Sequence, residues 1–592
     1  MALIVQKFGG TSVADSKKIL AAARKAIRAQ QQGNQVVMVV SAMGHSTDEL
    51  IDLAHQITDR PEAREMDMLL STGEQVSVAL MAMAIHSLGH KAVSLTGAQI
   101  GIRTDSKHTK ARIRSISTDR VQRLLDAGNI VIAAGFQGID EDFNVTTLGR
   151  GGSDTTAVAL AAVLRADSCE IYTDVDGVYT TDPRLLPEAR RVQQICYDEM
   201  LELASLGSGV MHNRSIEFAK KFGVPIHVRS SFSDVAGSMI VAVAESDESP
   251  VCGAALMKDE ARVSVLGVPD VPGTSLEVFS RIANRNISVD MIVQNVGENG
   301  KADLSFTVPR NELRSTLEAA REAAHVLGAE EVNSDENVAK VSVVGLGMAK
   351  QSGVANRMFR AMADANVNIQ MISTSEIKIS VLVERDAALN ALRACHETYQ
   401  LHKEPATRNP APPAGITSND AASVASRLSG LNMEELAIDD ISLDVSQARI
   451  TMRGVPDTPG IAAVVFDEVA AAGVFVDMIV QSCNGREGQT SLSFTVPQDK
   501  LEKGLSVAKQ LAERFKCQGV TSSPKIAKLS VSGVGLRSHT GVAIRTFGAL
   551  ADAGINVEMI NTSEVRVNVV VDGKFGNEAL RRLQAAFADV LH

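Results

Sequence analysis

The sequence predicts an α/β protein in two parts: one large domain around a covered, mainly parallel sheet, then a row of small βαββαβ units. Two observations predict it. Residues 1–245 alternate short, mainly apolar strands with alanine-rich helical runs. Beyond residue 250 the chain repeats itself.

In the first part, residues 35–40, 129–134 and 169–172 are continuous apolar runs but for Gln35, Asn129 and Glu170, and residues 157–164 form an alanine-rich helical run. Strands without polar alternation are buried on both faces, which is the mark of a parallel sheet covered by helices. In the second part, Gly267-Val268-Pro269-Asp270-Val271-Pro272-Gly273 returns as Gly454-Val455-Pro456-Asp457-Thr458-Pro459-Gly460. Val289-Asp290-Met291-Ile292-Val293-Gln294 returns as Val476-Asp477-Met478-Ile479-Val480-Gln481. Ser373-Thr374-Ser375-Glu376 is answered by Asn561-Thr562-Ser563-Glu564. The offset is 187 residues early and 188 later, so one copy carries a single insertion. A repeat this long is a duplicated module. Each copy halves again, at Val341-Ser342-Val343-Val344-Gly345 and Leu529-Ser530-Val531-Ser532-Gly533. Each half reads strand, turn, helix, strand, strand, helix, with a further short strand expected, as in a ferredoxin-type unit. Between the two pairs, Pro405, Pro410, Pro412 and Pro413 mark a semi-rigid linker, and residues 423–436 read as a short helix.

Composition narrows the function. A net charge of −11 gives no general attraction to nucleic acid or anionic membranes. Six scattered cysteines form neither a C-x-x-C pair nor a zinc spacing. The most apolar run, residues 76–85, is too short to span a bilayer. There is no G-x-x-x-x-G-K-[ST], G-x-G-x-x-G, H-E-x-x-H or G-x-S-x-G motif.

Four segments carry chemistry. Lys7-Phe8-Gly9-Gly10-Thr11-Ser12 breaks from an apolar strand into a lysine, two glycines and two hydroxyls. Glycines let backbone N–H groups approach an anion, and the lysine adds a point charge. Ser41-Ala42-Met43-Gly44 follows the strand of residues 35–40, where open α/β sheets bind ligands. Gly149-Arg150-Gly151-Gly152-Ser153-Asp154 opens a helix. It offers N–H donors and an arginine able to grip a carboxylate. Residues 172–184 pack acids, hydroxyls, Tyr179 and Arg184 into a loop suited to a nucleotide, although Asp-Gly also makes ordinary turns. Glu74 is a candidate partner for a substrate ammonium.

Together these segments resemble the aspartokinases of the amino-acid kinase superfamily, and the repeats resemble ACT domains. Four such units are similar to the pattern of cyanobacterial members inhibited by lysine and threonine. The resemblance implies a carbamate-kinase-like αβα sandwich over residues 1–245. ACT units follow at 262–335 and 338–402, a linker and short helix at 403–440, and ACT units at 448–522 and 526–592. It implies the reaction of ATP with L-aspartate to ADP and 4-phospho-L-aspartate, which opens lysine, threonine, methionine and isoleucine synthesis. Mg²⁺ would accompany ATP. A cytoplasmic homodimer paired through its ACT units is expected, with no nucleic-acid or membrane partner.

By the same resemblance, Lys7, Arg150 and Asp154 are catalytic. Lys7, Phe8, Gly9, Gly10, Ser41, Thr173, Asp174, Tyr179, Thr180, Asp182 and Arg184 surround ATP. Thr47, Glu74, Arg150, Gly151, Gly152 and Ser153 hold aspartate. No metal ligand is assigned to the protein. Effectors would meet Asp270, Gly273, Thr274, Ser288, Asp290 and Gln294 in the first unit, and Gly353, Val354, Asn368 and Ile369 in the second. They would meet Asp457, Gly460, Ile461 and Gln481 in the third, and Gly541, Val542, Asn556 and Val557 in the fourth. One departure is Gly209, which stands where many relatives carry a lysine. Two rival readings are a kinase of the same superfamily acting on glutamate or acetylglutamate, and a non-catalytic amino-acid sensor. Intact Lys7, Arg150 and Asp154 disfavour the second.

Overall fold

In the computed structural model all residues are described except 208–209, 297–299, 352, 411–432, 484–487, 537–540 and 592. The chain forms two units. The first comprises residues 1–179, 191–245 and 408–435; the second comprises 180–190, 246–407 and 436–592.

The first unit is built on an eight-stranded sheet. Leu3–Phe8 lies near its middle, flanked by Gln35–Val40 and Ser168–Thr173 in parallel. Ile130–Ala134 and Ala92–Leu95 extend it on one side, again in parallel. On the other, Ile226–Ser230 joins in parallel and Ser238–Val241 turns antiparallel. Val36 to Val40 are all buried, as an apolar run covered on both faces must be. The expected alanine-rich helix is Gly152–Leu164, buried from Gly152 to Ala162. Register puts Phe8 beside both Val40 and Tyr172. Gly9, Ser41 and Thr173 therefore leave three adjacent strands at the same carboxyl-terminal edge, where α/β sheets place their ligands.

Helix Ala63–Ser87 is the one described helix long and apolar enough to cross a membrane, at a mean hydropathy of 1.4 over 18 residues. The sequence reading stopped its apolar stretch at residues 76–85. It is a core helix: it packs on Ala92–Leu95 and Ile130–Ala134 and buries Asp67 and Glu74.

The second unit contains the four expected small units on two sheets. One continuous sheet of ten strands carries the first three, and one of four strands forms the fourth. The pairing adds strands from outside the expected spans. In the first ACT unit, Ala261 to Pro269 lies between Lys301–Pro309 and the start of Glu331–Val344. The second uses the end of that same strand, then Lys378–Glu384 and Met371–Thr374. Its fourth strand is not within 338–402. Gly253 to Met257, upstream of the first ACT unit, pairs with Val344 to Lys340. The second copy repeats this arrangement: Ala437–Asp444 completes the fourth ACT unit against Ile526–Val534. The strand expected to close each second unit thus comes from before the first. A β-strand can be supplied from anywhere in the chain, because its ladder bonds ignore sequence order.

The first unit also lacks residues 180–190, which belong to the second unit, where Leu186 is fully buried in its core. Conversely, 408–435 belongs to the first unit. Most of the helix expected at 423–436 lies outside the described residues, and Met433 to Leu436 is not helical.

The side-by-side ACT pairing expected between two copies is made inside one chain. Met371–Thr374 of the second ACT unit hydrogen-bonds Ile479–Cys483 of the third. Asp290–Val296 of the first lies against Met559–Thr562 of the fourth. The helices follow: Phe359 packs on Phe466 at 5.4 Å and Phe279 on Phe547 at 5.8 Å. Met291, Met371, Met478 and Met559, one from each small unit, share a further core.

Candidate functional site

The strand edge described above organises the site. Gly9 accepts the N–H of Ser12 and Gly10 that of Gly44, so the chain folds tightly back after Phe8. A Cβ on Gly10 would lie 2.8 Å from the carbonyl oxygen of Ala42 and 3.0 Å from that of Gly44, so only glycine fits. The ring of Phe8 stacks on Tyr172 at 4.7 Å with the planes 1° apart, which fixes the floor. Ser41 continues this edge, its N–H bonded to the carbonyl of Phe8.

Lys7, the penultimate residue of its strand, projects to Asp154, with Nζ 2.6 Å from the carboxylate. Both side chains are only about a tenth exposed (11% and 12%). Asp154 sits in the first turn of helix Gly152–Leu164, where the helix dipole favours an anion. That helix starts from Gly151 at φ +73°, a left-handed conformation. A Cβ there would lie 2.3 Å from that of His212. Ser153 is buried and packs so closely on Gly135 that a Cβ there would lie 2.6 Å from its hydroxyl. Arg150 is exposed. Burial pushes the His212 imidazole pKa down, Arg214 lowers it further, and Asp154 opposes both.

Glu74 reaches the same edge from helix Ala63–Ser87. Its Oε1 accepts the N–H of Ala42 at 3.0 Å, and its Oε2 is buried with no partner among the described residues. Burial raises its pKa to about 7. An unpartnered buried carboxylate oxygen is the complement of an ammonium donor. Thr47 is half-buried on helix Ser46–His55. Gly73 packs on Ala42 and leaves no room for a side chain.

The loop of residues 172–184 is divided. Thr173, Asp174 and Tyr179 belong to the first unit: Thr173 donates to Asp174 at 3.1 Å, and Tyr179 to Asp176 at 2.8 Å. Thr180, Asp182 and Arg184 belong to the second unit. There Thr180 meets His396 at 3.1 Å, and Arg184 grips Asp182 through two nitrogens. Gly209 lies outside the described residues, so the departure noted there has no structural account. Among the described residues no group of three or more His, Cys, Asp or Glu could hold a metal.

The repeat motifs meet across the ACT pairs. Asn556 of the fourth ACT unit donates to Asp270 of the first at 2.7 Å, and Gln294 donates to the carbonyl of Val557 at 2.7 Å. Asn368 donates to Asp457 at 2.9 Å, and Gln481 to the carbonyl of Ile369 at 2.8 Å. Gly273 and Gly460 open the following helices at φ +95° and +91°. Thr274 bonds the carbonyl of Pro269, and Ile461 lines a cavity with Asp457 and Gln481. The other candidates fall elsewhere. Ser288 and Asp290 line a separate cavity with Ser563 and Glu564. Gly353 and Val354 line a third with Glu376 and Asp477. Val542 is buried in the core, and Gly541 begins helix Gly541–Asp552.

Family models match in the same layout. Residues 2–230 match the amino acid kinase family, and 261–325, 341–399, 450–511 and 529–587 match ACT domains. The aspartokinase of Pseudomonas aeruginosa is 52% identical over 404 residues, 68% of this chain and 98% of the relative. Aspartokinase 2 of Bacillus subtilis is 49% identical over 406 residues, 68% of this chain and 99% of that one. This chain belongs to the aspartokinase family. It is an enzyme of the kinase class with a regulatory half made of ACT domains.

Among solved aspartokinases, the aspartate kinase of Synechocystis is 40% identical and covers 99% of this chain, with 98% of its own chain covered, at a TM-score of 0.52. Aspartokinase III of E. coli, solved with lysine and aspartate, is 25% identical over 67% of this chain and 99% of its own, at a TM-score of 0.54. Several features of this aspartokinase site escaped the sequence reading. Asp67 is fully buried and accepts from Thr109, Thr147 and His108. Its signal was present: it lies two helical turns before Glu74, on the same face of the helix. Arg214 and Glu434, 220 residues apart, left no signal at all.

Proposed function

We propose that this chain transfers the γ-phosphoryl group of ATP to the β-carboxylate of L-aspartate, and that Lys7, Asp154, Glu74, Arg150 and Ser153 carry the reaction. The Lys7–Asp154 pair beside the glycine corner carries this reading. The nucleophile is already ionised at neutral pH, since a free aspartate side chain has a pKa of ~3.9. No general base is needed. The protein has to align two anions and offset charge on the moving phosphoryl group.

Lys7 supplies a cation at the sheet edge, and Asp154 holds its ammonium in place. Backbone N–H groups after Phe8 receive phosphate oxygens, because Gly9 and Gly10 leave space for close approach. Glu74 pairs its free carboxylate oxygen with the aspartate ammonium, and Arg150 takes a carboxylate with Ser153 beside it. Thr47 flanks the amino acid. Ser41, Thr173, Asp174 and Tyr179 serve the nucleotide. This donor set fits a nucleotide that brings its metal with it, since Mg²⁺ is held largely by phosphate oxygens and neutralises their charge.

The ACT units bind amino-acid effectors, lysine and threonine, which inhibit the kinase. The Asp270–Asn556 and Asp457–Asn368 bonds support two such pockets, each closed by two ACT units of one chain. The setting is the cytoplasm, at the entry to lysine, threonine, methionine and isoleucine synthesis. Homodimerisation belongs to this reading too, through surfaces other than the ACT faces already paired internally.

Lys7→Ala tests the core of the proposal. Turnover is expected to fall below detection while lysine or threonine binding, followed by calorimetry, persists. An active Lys7→Ala enzyme would remove the phosphate role. A hydroxamate assay coupled to ATP, run with aspartate, glutamate and acetylglutamate, tests the substrate; turnover on glutamate alone would overturn it.

A further inference from the structure

Arg214 stands in the first turn of helix Asn213–Phe222, next to the His212 that walls Gly151. Its guanidinium makes four bonds. Nε and Nη2 take both oxygens of Glu434 at 3.0 and 2.5 Å, Nη2 also meets the carbonyl of Ala111 at 2.5 Å, and Nη1 bonds the carbonyl of Leu148. Leu148 immediately precedes the Gly149-Arg150-Gly151-Gly152 turn. The pair is nearly buried, at 16% and 7% exposure. A buried guanidinium is tolerated only when its donors are matched, and a two-pronged carboxylate matches its fork.

Glu434 is itself held. Met433 and Glu434 bond through their N–H groups to the carbonyls of Arg114 and Ile113 on the strand Ile113–Ile116. The Glu434 carboxylate also accepts the N–H of Ile113 at 2.9 Å, and Lys221 bonds the carbonyl of Glu435. Met433 is 2% exposed. This short segment belongs to the kinase unit, yet the next residue, Leu436, begins the other unit and leads into the strand that completes the fourth ACT sheet.

We propose that Arg214 and Glu434 are positioning residues for the Gly149–Gly152 turn, so that the segment leading into the second ACT pair is part of the aspartate-binding apparatus. The inference rests on the reading of Arg150 and Ser153 as aspartate ligands. Arg214 fixes the Leu148 carbonyl, and with it the direction in which Arg150 leaves the turn. Glu434 fixes Arg214. Neither touches substrate. Small displacements of a binding turn cost binding steeply.

The test uses the full chain. Glu434→Gln keeps the shape but removes the charge, and Arg214→Lys removes the fork. Each is expected to raise the KM for aspartate about tenfold while the KM for ATP stays within about twofold. The double variant Arg214→Met with Glu434→Leu removes both charges together, so it folds even where a single change leaves a charge stranded. The same aspartate-specific rise is expected from it, because the Leu148 bond is lost. Glu434→Asp, which restores the charge, is expected to recover part of the affinity. An aspartate KM unchanged in the double variant, or ATP and aspartate KM rising together, overturns the proposal. Arg150→Lys separates the two readings. If it leaves aspartate KM unchanged, the assignment of the turn to aspartate is at fault; if it raises KM and the Arg214 and Glu434 variants do not, only the positioning role of Arg214 and Glu434 is.

Discussion

Glu74 combines a burial that favours its neutral form with a proposed role that needs its charge. Its pKa lies near 7 against an ordinary 4.5, chiefly because burial penalises the carboxylate. In the ligand-free protein the folded state therefore holds this proton where the unfolded chain has released it. Stability from this group is greatest below about 4.5 and falls as pH rises through 7. Glu74→Gln is expected to raise ligand-free stability at pH 8 by as much as ~3 kcal/mol, read by urea unfolding. Aspartate binding runs the other way. The ammonium pairs only with the ionised group, so KM for aspartate is expected to rise about tenfold from pH 8 to pH 6. In Glu74→Gln the affinity is weak and that pH dependence is lost. A wild-type aspartate KM that stays flat across this range would rule out the assignment. At this scale the sequence identified Glu74 by motif alone, and only burial revealed its altered titration.

The helix Gly152–Leu164 shows what an element adds. Its alanine-rich run was legible because small apolar residues on all sides fit only a buried helix. Its start was legible as chemistry but not as geometry. Gly151 has to adopt φ +73°, and it also has to pass His212 closely. Gly151→Ala is expected to destabilise the fold by about 1–3 kcal/mol and to reduce aspartate turnover sharply. Adding His212→Ala should return the part due to crowding and leave the part due to φ. Full recovery in the double variant would show that the backbone conformation costs nothing. The loop of residues 172–184 taught the opposite lesson. It reads as one motif in sequence, but its second half is built into the regulatory unit, with Leu186 in that unit's core.

For the whole molecule, the decisive arrangement is that four ACT units pair inside one chain. Phe279 and Phe359 are covered by Phe547 and Phe466 from the second copy. A chain ending at residue 407 would uncover both faces and the edges of Asp290–Val296 and Met371–Thr374. Exposed apolar faces and open strand edges recruit other chains. The shortened protein is expected to associate further than the full chain at equal concentration, as measured by light scattering. A well-folded monomer would show that the internal pairing contributes little.

The sequence by itself determined the covered parallel sheet, the duplicated module and its halving, the glycine corner with its lysine, and the family. All of these rest on local patterns, apolar runs, period and short motifs, which survive translation into structure because they involve neighbours in the chain. Tertiary structure decided which strand completes each second ACT unit, which ACT units pair, where residues 180–190 belong, and that Glu434 reaches Arg214. Backbone ladders and buried ion pairs are indifferent to sequence distance, so nothing local announces them.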